Sequence, residues 1–222
     1  MQKKLLEIYN KLLGYFGPQH WWPAETPFEM MVGAVLTQAV AWRNVEKAIG
    51  NLKNKELLDP IKLSQTNPEI LEELLKPTRY YKMKTRKLQA LSRFLVENYQ
   101  GFPETMFHEE LPALRDKLLA IYGMGPETVD SILLYGGGLP IFVVDAYTQK
   151  IFYRLGITPA QITYTKLQEF FMSHLPVDAG LYNEIHAQIV ALGNNICHNT
   201  PKCEKCPLKD VCALPKQHPA DL

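Results

Sequence analysis

The chain has 222 residues, and its 46% hydrophobic and 21% charged composition is that of a globular protein with one large core or two smaller ones. With a formal net charge of +1, bulk charge alone does not indicate a nucleic-acid-binding protein. No apolar run approaches the roughly 18 residues that cross a bilayer. The N-terminal segment reads as an amphipathic helix and lacks the continuous apolar stretch of a signal peptide, so we expect a cytoplasmic protein with no membrane partner.

Helical periodicity dominates the chain and predicts an all-α fold. Residues 28–52 form one or two predicted helices, and residues 68–75 form a short one with proline at its start and acids in its first turn. Further helices are predicted at 84–98, 111–121, 127–135, 145–155, 164–174 and 181–194. The only β-like run is the short segment at residues 140–145.

A basic run lies between Lys76 and Arg93, where seven lysines and arginines occur without an acid. A solvated helix face explains such a run as readily as a surface that contacts phosphates. Taken alone, the run leaves both interpretations open.

The segment IYGMGPETVDSILL, residues 121–134, joins two predicted helices through two closely spaced glycines. A hairpin this short needs backbone conformations that β-carbons resist, which predicts a geometric reason for both Gly123 and Gly125. Pro126 suits the first turn of the second helix. The N–H groups at that helix start can face a phosphate, although a plain helix–helix turn also explains the glycines.

A single acid follows the apolar run Ile-Phe-Val-Val at residues 141–144. An acid at a helix start is most often an N-cap. Because Asp145 ends an apolar run, we also expect it to be partly buried, where a carboxylate can do electrostatic work on a reacting group.

All four cysteines fall in CHNTPKCEKCPLKDVC, residues 197–212, with the pattern C-x5-C-x2-C-x5-C. Scattered buried cysteines do not cluster in this way, and disulfides do not persist in a reducing cytoplasm. Four thiolates in one loop suit a structural Zn²⁺ or a [4Fe–4S] cluster, and the spacing alone leaves both open. The predicted ligands are Cys197, Cys203, Cys206 and Cys212.

Taken in order, these segments resemble the helix-hairpin-helix DNA glycosylases of the endonuclease III superfamily along nearly the whole chain. The matching stretches are LTQAVAW at 36–42, KPTRYYKMKTRKL at 76–88, IYGMGPETVDSIL at 121–133, VVDAYTQKIFYRLG at 143–156, and the cysteine loop. The resemblance implies a base-excision-repair enzyme whose partner is double-stranded DNA with a damaged base. We expect it to be a monomer associated with the nucleoid.

The resemblance also implies two helical lobes with the DNA and the extruded base between them. A six-helix domain with the hairpin would span residues 24–136. The second lobe would combine residues 1–23 with 137–222, including a C-terminal [4Fe–4S] cluster loop at about 197–212. The first cysteine gap is six residues in the family and five here, so zinc stays the alternative to the cluster.

The reaction that the resemblance implies depends on one position of the hairpin. In bifunctional members a lysine there attacks the sugar and then cleaves the strand, whereas this chain has Glu127. A carboxylate cannot form a Schiff base, so we expect a monofunctional enzyme in which Asp145 stabilises the oxocarbenium-like sugar or activates water. Glu127 is the second catalytic candidate, either as a general base or only as an acid that favours a helix start.

The stretch HWWPAETPFEMMVGAVLTQ, residues 20–38, looks like that of the endonuclease III-type 3-methyladenine glycosylases. Aromatic walls can stack on a flipped base and attract a cationic ring, although adjacent tryptophans also cap cores. The predicted base pocket is Trp21, Trp22, Pro23 and Trp42. Gln38 matches the family's wedge residue, which fills the gap left by the flipped base. The other predicted DNA contacts are Gly123, Gly125, Thr128, Lys84, Arg86 and Lys87.

We therefore predict a hydrolytic DNA glycosylase for alkylated purines such as 3-methyladenine. An alternative of the same class is excision of deaminated or oxidised bases. Two alternatives from other classes are a non-catalytic DNA-binding module with a redox-sensitive cluster and a zinc-stabilised helical adaptor. A part-buried Asp145 beside the hairpin argues against the binding module, because such a module has no need of this acid.

Overall fold

The computed structural model describes residues 1–214, and this range is helical with no β-strand, which confirms the predicted all-α fold. No helix in it is both long and apolar enough to cross a membrane. In chain order the α-helices are α1 Gln2–Phe16, α2 Pro27–Leu36, α3 Trp42–Asn54, α4 Pro60–Gln65, α5 Pro68–Leu75, α6 Tyr81–Tyr99, α7 Pro103–Met106, α8 Leu111–Leu119, α9 Pro126–Ser131, α10 Ala146–Arg154, α11 Tyr164–His174 and α12 Ala179–Asn195.

One compact unit comprises Trp22–Leu139 and contains α2 to α9. Its longest helix, α6, packs against α2, α4 and α5. Leu88, Leu91 and Leu95 of α6 are buried, and their spacing of three and four residues places them on one face. Helix α2 is buried at nearly every position, as expected for a helix at the centre of a domain.

Helix α9 continues directly into a π-helical turn, Ile132–Gly136, so the single helix predicted at 127–135 is split. Such turns are rare and frequent at functional sites. Two glycines end the turn close to Phe107, where a β-carbon on Gly137 would overlap the aromatic ring. The second helix of the hairpin and the π-helical turn are therefore continuous in this unit.

The other compact unit comprises Met1–Trp21 and the described part of residues 140–222. Helices α1 and α10 both pack against α12. Its core contains Phe142 and Phe171 with stacked rings 4.1 Å apart, and Phe152 against the edge of Phe171 at 4.7 Å.

The β-like run at residues 140–145 is not a strand and has no regular secondary structure. Its residues Ile141 to Val144 are buried in the core, and no strand lies within residues 1–214 to pair with it. A side chain supplies a backbone partner instead, because Gln168 Nε2 donates to the Phe142 carbonyl at 2.6 Å. The segment leads directly to Asp145 at the start of α10.

Candidate active site

The hairpin between α8 and α9 needs glycine at one of its two glycine positions. Gly123 has a φ of +77°, and a β-carbon there would lie 2.5 Å from Lys87 Cε. Backbone conformation and close approach both exclude a side chain. Gly125 has a φ of −96° and open space beside its α-carbon. The predicted geometric need is therefore confirmed for Gly123 and wrong for Gly125, which is the N-cap of α9.

We expect Gly123→Ala to destabilise the fold by about 1–3 kcal/mol, because alanine must adopt a left-handed conformation and push Lys87 aside. Urea unfolding followed by circular dichroism measures this change. Gly125→Ser is the matched control, since serine is a good N-cap and should change the stability by less than about 0.5 kcal/mol. Equal losses in the two variants would contradict the assignment of Gly123 as the constrained position.

Three of the predicted DNA contacts form one hydrogen-bonded chain. Gln38, in the loop between α2 and α3, accepts a hydrogen bond on Oε1 from Lys87 Nζ at 2.5 Å. Its Nε2 donates to Thr128 Oγ1 at 2.8 Å. Thr128 is buried in the first turn of α9. The chain therefore ties the Gln38 loop to α6 and to the second helix of the hairpin.

Lys84 is not part of an exposed basic surface. Its residue is 2% exposed, and its Nζ donates to the Leu36 carbonyl at 2.8 Å, where α2 ends. Burial, and then the charge of Lys87, lower the pKa of Lys84 to about 8. A lysine at the last carbonyls of a helix satisfies an open acceptor and complements the helix dipole. This burial argues against the predicted contact of Lys84 with DNA, whereas Arg86 is exposed.

Trp22 lies at the centre of an aromatic cluster in the Trp22–Leu139 unit. Its ring is 5.4 Å from that of Trp42 at 85°, and 5.5 Å from that of Tyr135 at 45°. A β-carbon on Gly33 would lie 3.1 Å from Trp22 Nε1, so glycine there lets the indole lie close to α2. Perpendicular rings this close leave no room for a third ring between them. A base would therefore have to stack on another face of this cluster.

The remaining pocket candidates differ in their surroundings. Pro23 is exposed and lines an open pocket together with Trp42. Trp21 belongs to the other compact unit, where its carbonyl accepts a hydrogen bond from Asn183 Nδ2 at 2.9 Å. Tyr135 was not predicted from the sequence, although its position directly before three consecutive glycines could have marked it.

Asp145 is both the N-cap of α10 and a partly buried acid, so both sequence interpretations of its position are confirmed. Its Oδ1 accepts hydrogen bonds from the backbone N–H and the hydroxyl of Thr148, each at 2.7 Å. The side chain is 13% exposed. Its other oxygen, Oδ2, faces Nε2 of His186 at 3.8 Å. The two oxygens of the carboxylate therefore have different surroundings.

His186, on α12, is buried and was not identified from the sequence. Burial lowers the pKa of its imidazole, and the charge of Asp145 opposes that shift in part. The shift favours a neutral ring near neutral pH. Only its place in an apolar stretch of α12 could have pointed to its burial.

Glu127 occupies the first turn of α9 and is exposed, while its own carbonyl accepts from Ser131 Oγ at 2.7 Å. The fully buried acid of this helix is Asp130, which was not among the predicted site residues. Asp130 forms a two-point ion pair with Arg115 of α8, with distances of 2.7 and 3.1 Å. This pair fixes the two helices of the hairpin to each other.

The four cysteines line one small cavity of the described chain, together with the apolar side chains of Ile196 and Leu214. Burial, and to a smaller extent the neighbouring thiols, raise the pKa of the Cys206 thiol to about 11. No group of three or more His, Cys, Asp or Glu side chains within residues 1–214 is arranged to hold a metal ion. The residues present, four soft sulfur donors around one cavity, still fit a four-iron cluster, which is larger than an ion and is bound by four thiolates.

Arg154, the last residue of α10, anchors the cysteine loop. Its Nη1 donates to Cys197 Sγ at 3.3 Å and to the His198 carbonyl at 2.5 Å, and the Arg154 carbonyl accepts from Cys212 Sγ at 3.3 Å. Helix α10 therefore begins at Asp145 and ends against the first and last cysteines. This contact was not predicted, and its only sequence signal is the presence of Arg154 in the matching stretch at 143–156.

Known proteins are similar to this chain over most of its length. A family model described as an HhH-GPD superfamily base excision DNA repair protein matches residues 32–176. MJ1434 of Methanocaldococcus jannaschii, which has the name of a DNA repair glycosylase, is 43% identical over 94% of this chain and 95% of its own.

Two solved structures have a similar fold. The structure of a non-covalent endonuclease III–DNA complex has a TM-score of 0.84 with 23% identity, and the match covers 98% of each chain. Helicobacter pylori 3-methyladenine DNA glycosylase (MagIII), bound to 1,N6-ethenoadenine, has a TM-score of 0.74 with 28% identity. That match covers 86% of this chain and 95% of the other.

Proposed function

The chain belongs to the HhH-GPD superfamily of base excision DNA repair proteins, and from this premise we propose that it is a monofunctional DNA glycosylase for alkylated purines such as 3-methyladenine. It would act as a monomer on double-stranded DNA. The observation that carries the proposal is the exposed carboxylate of Glu127 at the hairpin position where bifunctional relatives of this type have lysine. A carboxylate has no amine to form a Schiff base with the sugar.

In this proposal Asp145 acts on the sugar as the glycosidic bond breaks. Its Oδ1 is committed to the two cap hydrogen bonds from Thr148. We therefore assign Oδ2 to the reaction, where it stabilises positive charge on the sugar or takes a proton from the attacking water. Partial burial strengthens this electrostatic effect, because little water competes with the carboxylate.

The choice of base follows from the aromatic cluster around Trp22. An alkylated purine that carries positive charge is a good leaving group and is attracted by the faces of electron-rich indoles. Trp42 and Tyr135 both contact Trp22 and extend its aromatic surface. The H. pylori relative named for 3-methyladenine is 28% identical to this chain, which supports the same class of substrate. Pro23, which lines an open pocket together with Trp42, remains a proposed member of this base pocket.

Binding of DNA would use the hairpin and the Gln38 loop. Backbone N–H groups near Gly123 and Gly125 would contact phosphates, and Gln38 would fill the gap in the duplex. The exposed guanidinium of Arg86 would add a phosphate contact. We also propose that Cys197, Cys203, Cys206 and Cys212 hold a [4Fe–4S] cluster, which when bound would order the loop and position it on the DNA backbone.

Release of free bases from methylated duplex DNA, measured by chromatography, tests this function. The expected result is release of 3-methyladenine, and no release from parallel duplexes that contain deaminated or oxidised bases. Release of a deaminated or oxidised base alone would contradict the aromatic-pocket argument and favour the alternative substrates. Specific binding to damaged DNA without release of any base would contradict the assignment of an enzyme.

A further inference from the structure

Two lysines of α6 face the end of α2 and the loop that follows it. Lys84 and Lys87 are three residues apart and so lie on the same face of the helix. Lys84 Nζ donates to the Leu36 carbonyl at 2.8 Å, and Lys87 Nζ donates to Gln38 Oε1 at 2.5 Å. Arg86 lies on the other side of α6 and is exposed. Only part of the basic run is thus directed to solvent.

The side chain of Lys87 is directed into the protein. Its methylene groups lie under Gly123, where a β-carbon would be 2.5 to 2.8 Å from them. Its ammonium group is partly buried, and burial lowers its pKa. A lysine that serves as a phosphate contact keeps its ammonium in water until DNA arrives, whereas withdrawal from water must be offset by a partner. Here that partner is the amide oxygen of Gln38.

The contacts of Gln38 fix the orientation of its amide. A lysine ammonium can only donate, so Lys87 selects the oxygen of the amide and leaves the nitrogen for Thr128 Oγ1 at 2.8 Å. The next residue, Ala39, has a φ of +56°, an uncommon conformation for a residue with a β-carbon. Strained conformations of this kind persist where the surrounding structure holds them in place. The loop therefore presents Gln38 in one defined orientation.

We propose that Lys87 is a positioning residue for Gln38, holding the amide that enters the duplex and joining it to the hairpin through the close contact with Gly123. Lys87 acts through Gln38 and makes no phosphate contact of its own. The inference rests on the proposed function in one respect, that Gln38 fills the gap at a damaged site. Gln38 and the hairpin then move onto the DNA as one unit.

Binding to a duplex with a single tetrahydrofuran abasic-site analogue tests this role without any base release. We expect Lys87→Met to weaken binding by about tenfold, the loss expected for a hydrogen bond to a charged group. The slope of log K against log salt concentration should equal that of the wild-type protein. Arg86→Met is the matched control, because it removes the same charge from an exposed site. For this variant the slope of log K against log salt concentration should be smaller in magnitude by about one. An undamaged duplex should show little change for Lys87→Met.

A double-mutant cycle with Gln38→Ala separates this role from a general structural one. In the Gln38→Ala background, Lys87→Met should cause no further loss of affinity for the abasic duplex. Fluorescence of 2-aminopurine placed beside the abasic analogue reports insertion, and the signal should fall in Lys87→Met at saturating protein. Thermal unfolding checks the fold, and Lys87→Gln replaces Lys87→Met if methionine lowers the midpoint.

Two results would overturn the inference. One is a reduced salt slope with equal weakening on damaged and undamaged duplexes, which identifies Lys87 as a phosphate contact. The other is that Lys87→Met weakens binding to the abasic duplex as much in the Gln38→Ala background as in the wild-type background. If the wild-type protein releases no 3-methyladenine but shows the expected pattern on the abasic duplex, the proposed substrate fails while the role of Lys87 stands. If the wild-type protein does not prefer the abasic duplex, the premise about Gln38 is wrong and the inference falls with it.

Discussion

Replacement of Asp145 by asparagine should reduce base release by about 10²–10³-fold, the range seen when one electrostatic stabiliser of a transition state is removed. The expected loss of base release comes only from removal of the negative charge of the carboxylate. Asparagine is as good an N-cap as aspartate, and its carbonyl oxygen can accept both hydrogen bonds that Thr148 now donates to Oδ1. The fold and the affinity for DNA should therefore stay close to those of the wild-type protein.

Single-turnover release of 3-methyladenine measures this effect, and Asp145→Ala separates the two roles of the residue. Alanine removes the charge and also the cap, so it should lose activity to the same extent and about 1 kcal/mol of stability in addition. Unfolding in urea measures the second quantity. If Asp145→Asn keeps more than a tenth of the wild-type rate, the assignment of Oδ2 to the reaction is wrong and Asp145 serves only as the cap of α10.

Cys206→Ser should remove the iron–sulfur cluster and with it the stability of the cysteine loop. We expect the wild-type protein to be brown, with about four irons per chain and four cysteine ligands. The variant should lose this absorption, bind DNA more weakly and unfold at a lower temperature. A fall of about 5 °C corresponds to roughly 2 kcal/mol in a chain of this size.

Metal analysis of the two purified proteins, together with their melting curves, measures this prediction. Lys205→Ser is the control, because Lys205 is the exposed neighbour of Cys206 and is not a predicted ligand. Stoichiometric zinc in colourless wild-type protein would contradict the cluster and establish the alternative metal. Full metal content in Cys206→Ser would exclude this thiol as a ligand.

Most of the fold was predictable because the longer helices have a recognisable local sequence pattern, whereas the short helices α4 and α7 were not predicted. Apolar residues at helical spacing marked α6, and a proline at the first position marked α5 and α9. The β-like run at 140–145 was misleading, because β-branched residues favour strands only where a neighbouring strand can pair with them. In the described chain this run is instead buried beside α11, and Gln168 satisfies one of its carbonyls.

The role of a site residue was predictable only where that role depends on its neighbours in the chain. The N-cap role of Asp145 and the positive φ of Gly123 follow from residues close to them in the chain. The burial of Lys84 depends on the Leu36 carbonyl, 48 positions away. The contact between Asp145 and His186 likewise joins distant helices. Side-chain type and spacing carry no information about such pairings, so the sequence placed Lys84 on the surface and left His186 unnoticed.

Hydrolysis without a lysine nucleophile can be followed on an end-labelled methylated duplex. The duplex is incubated with the wild-type protein and divided into portions that receive alkali, sodium borohydride or neither. We predict that strands break only after alkali, and that borohydride traps no covalent protein–DNA complex. Strand breaks without alkali, together with a trapped complex, would contradict the monofunctional mechanism. They would show that an amine elsewhere in the chain attacks the sugar.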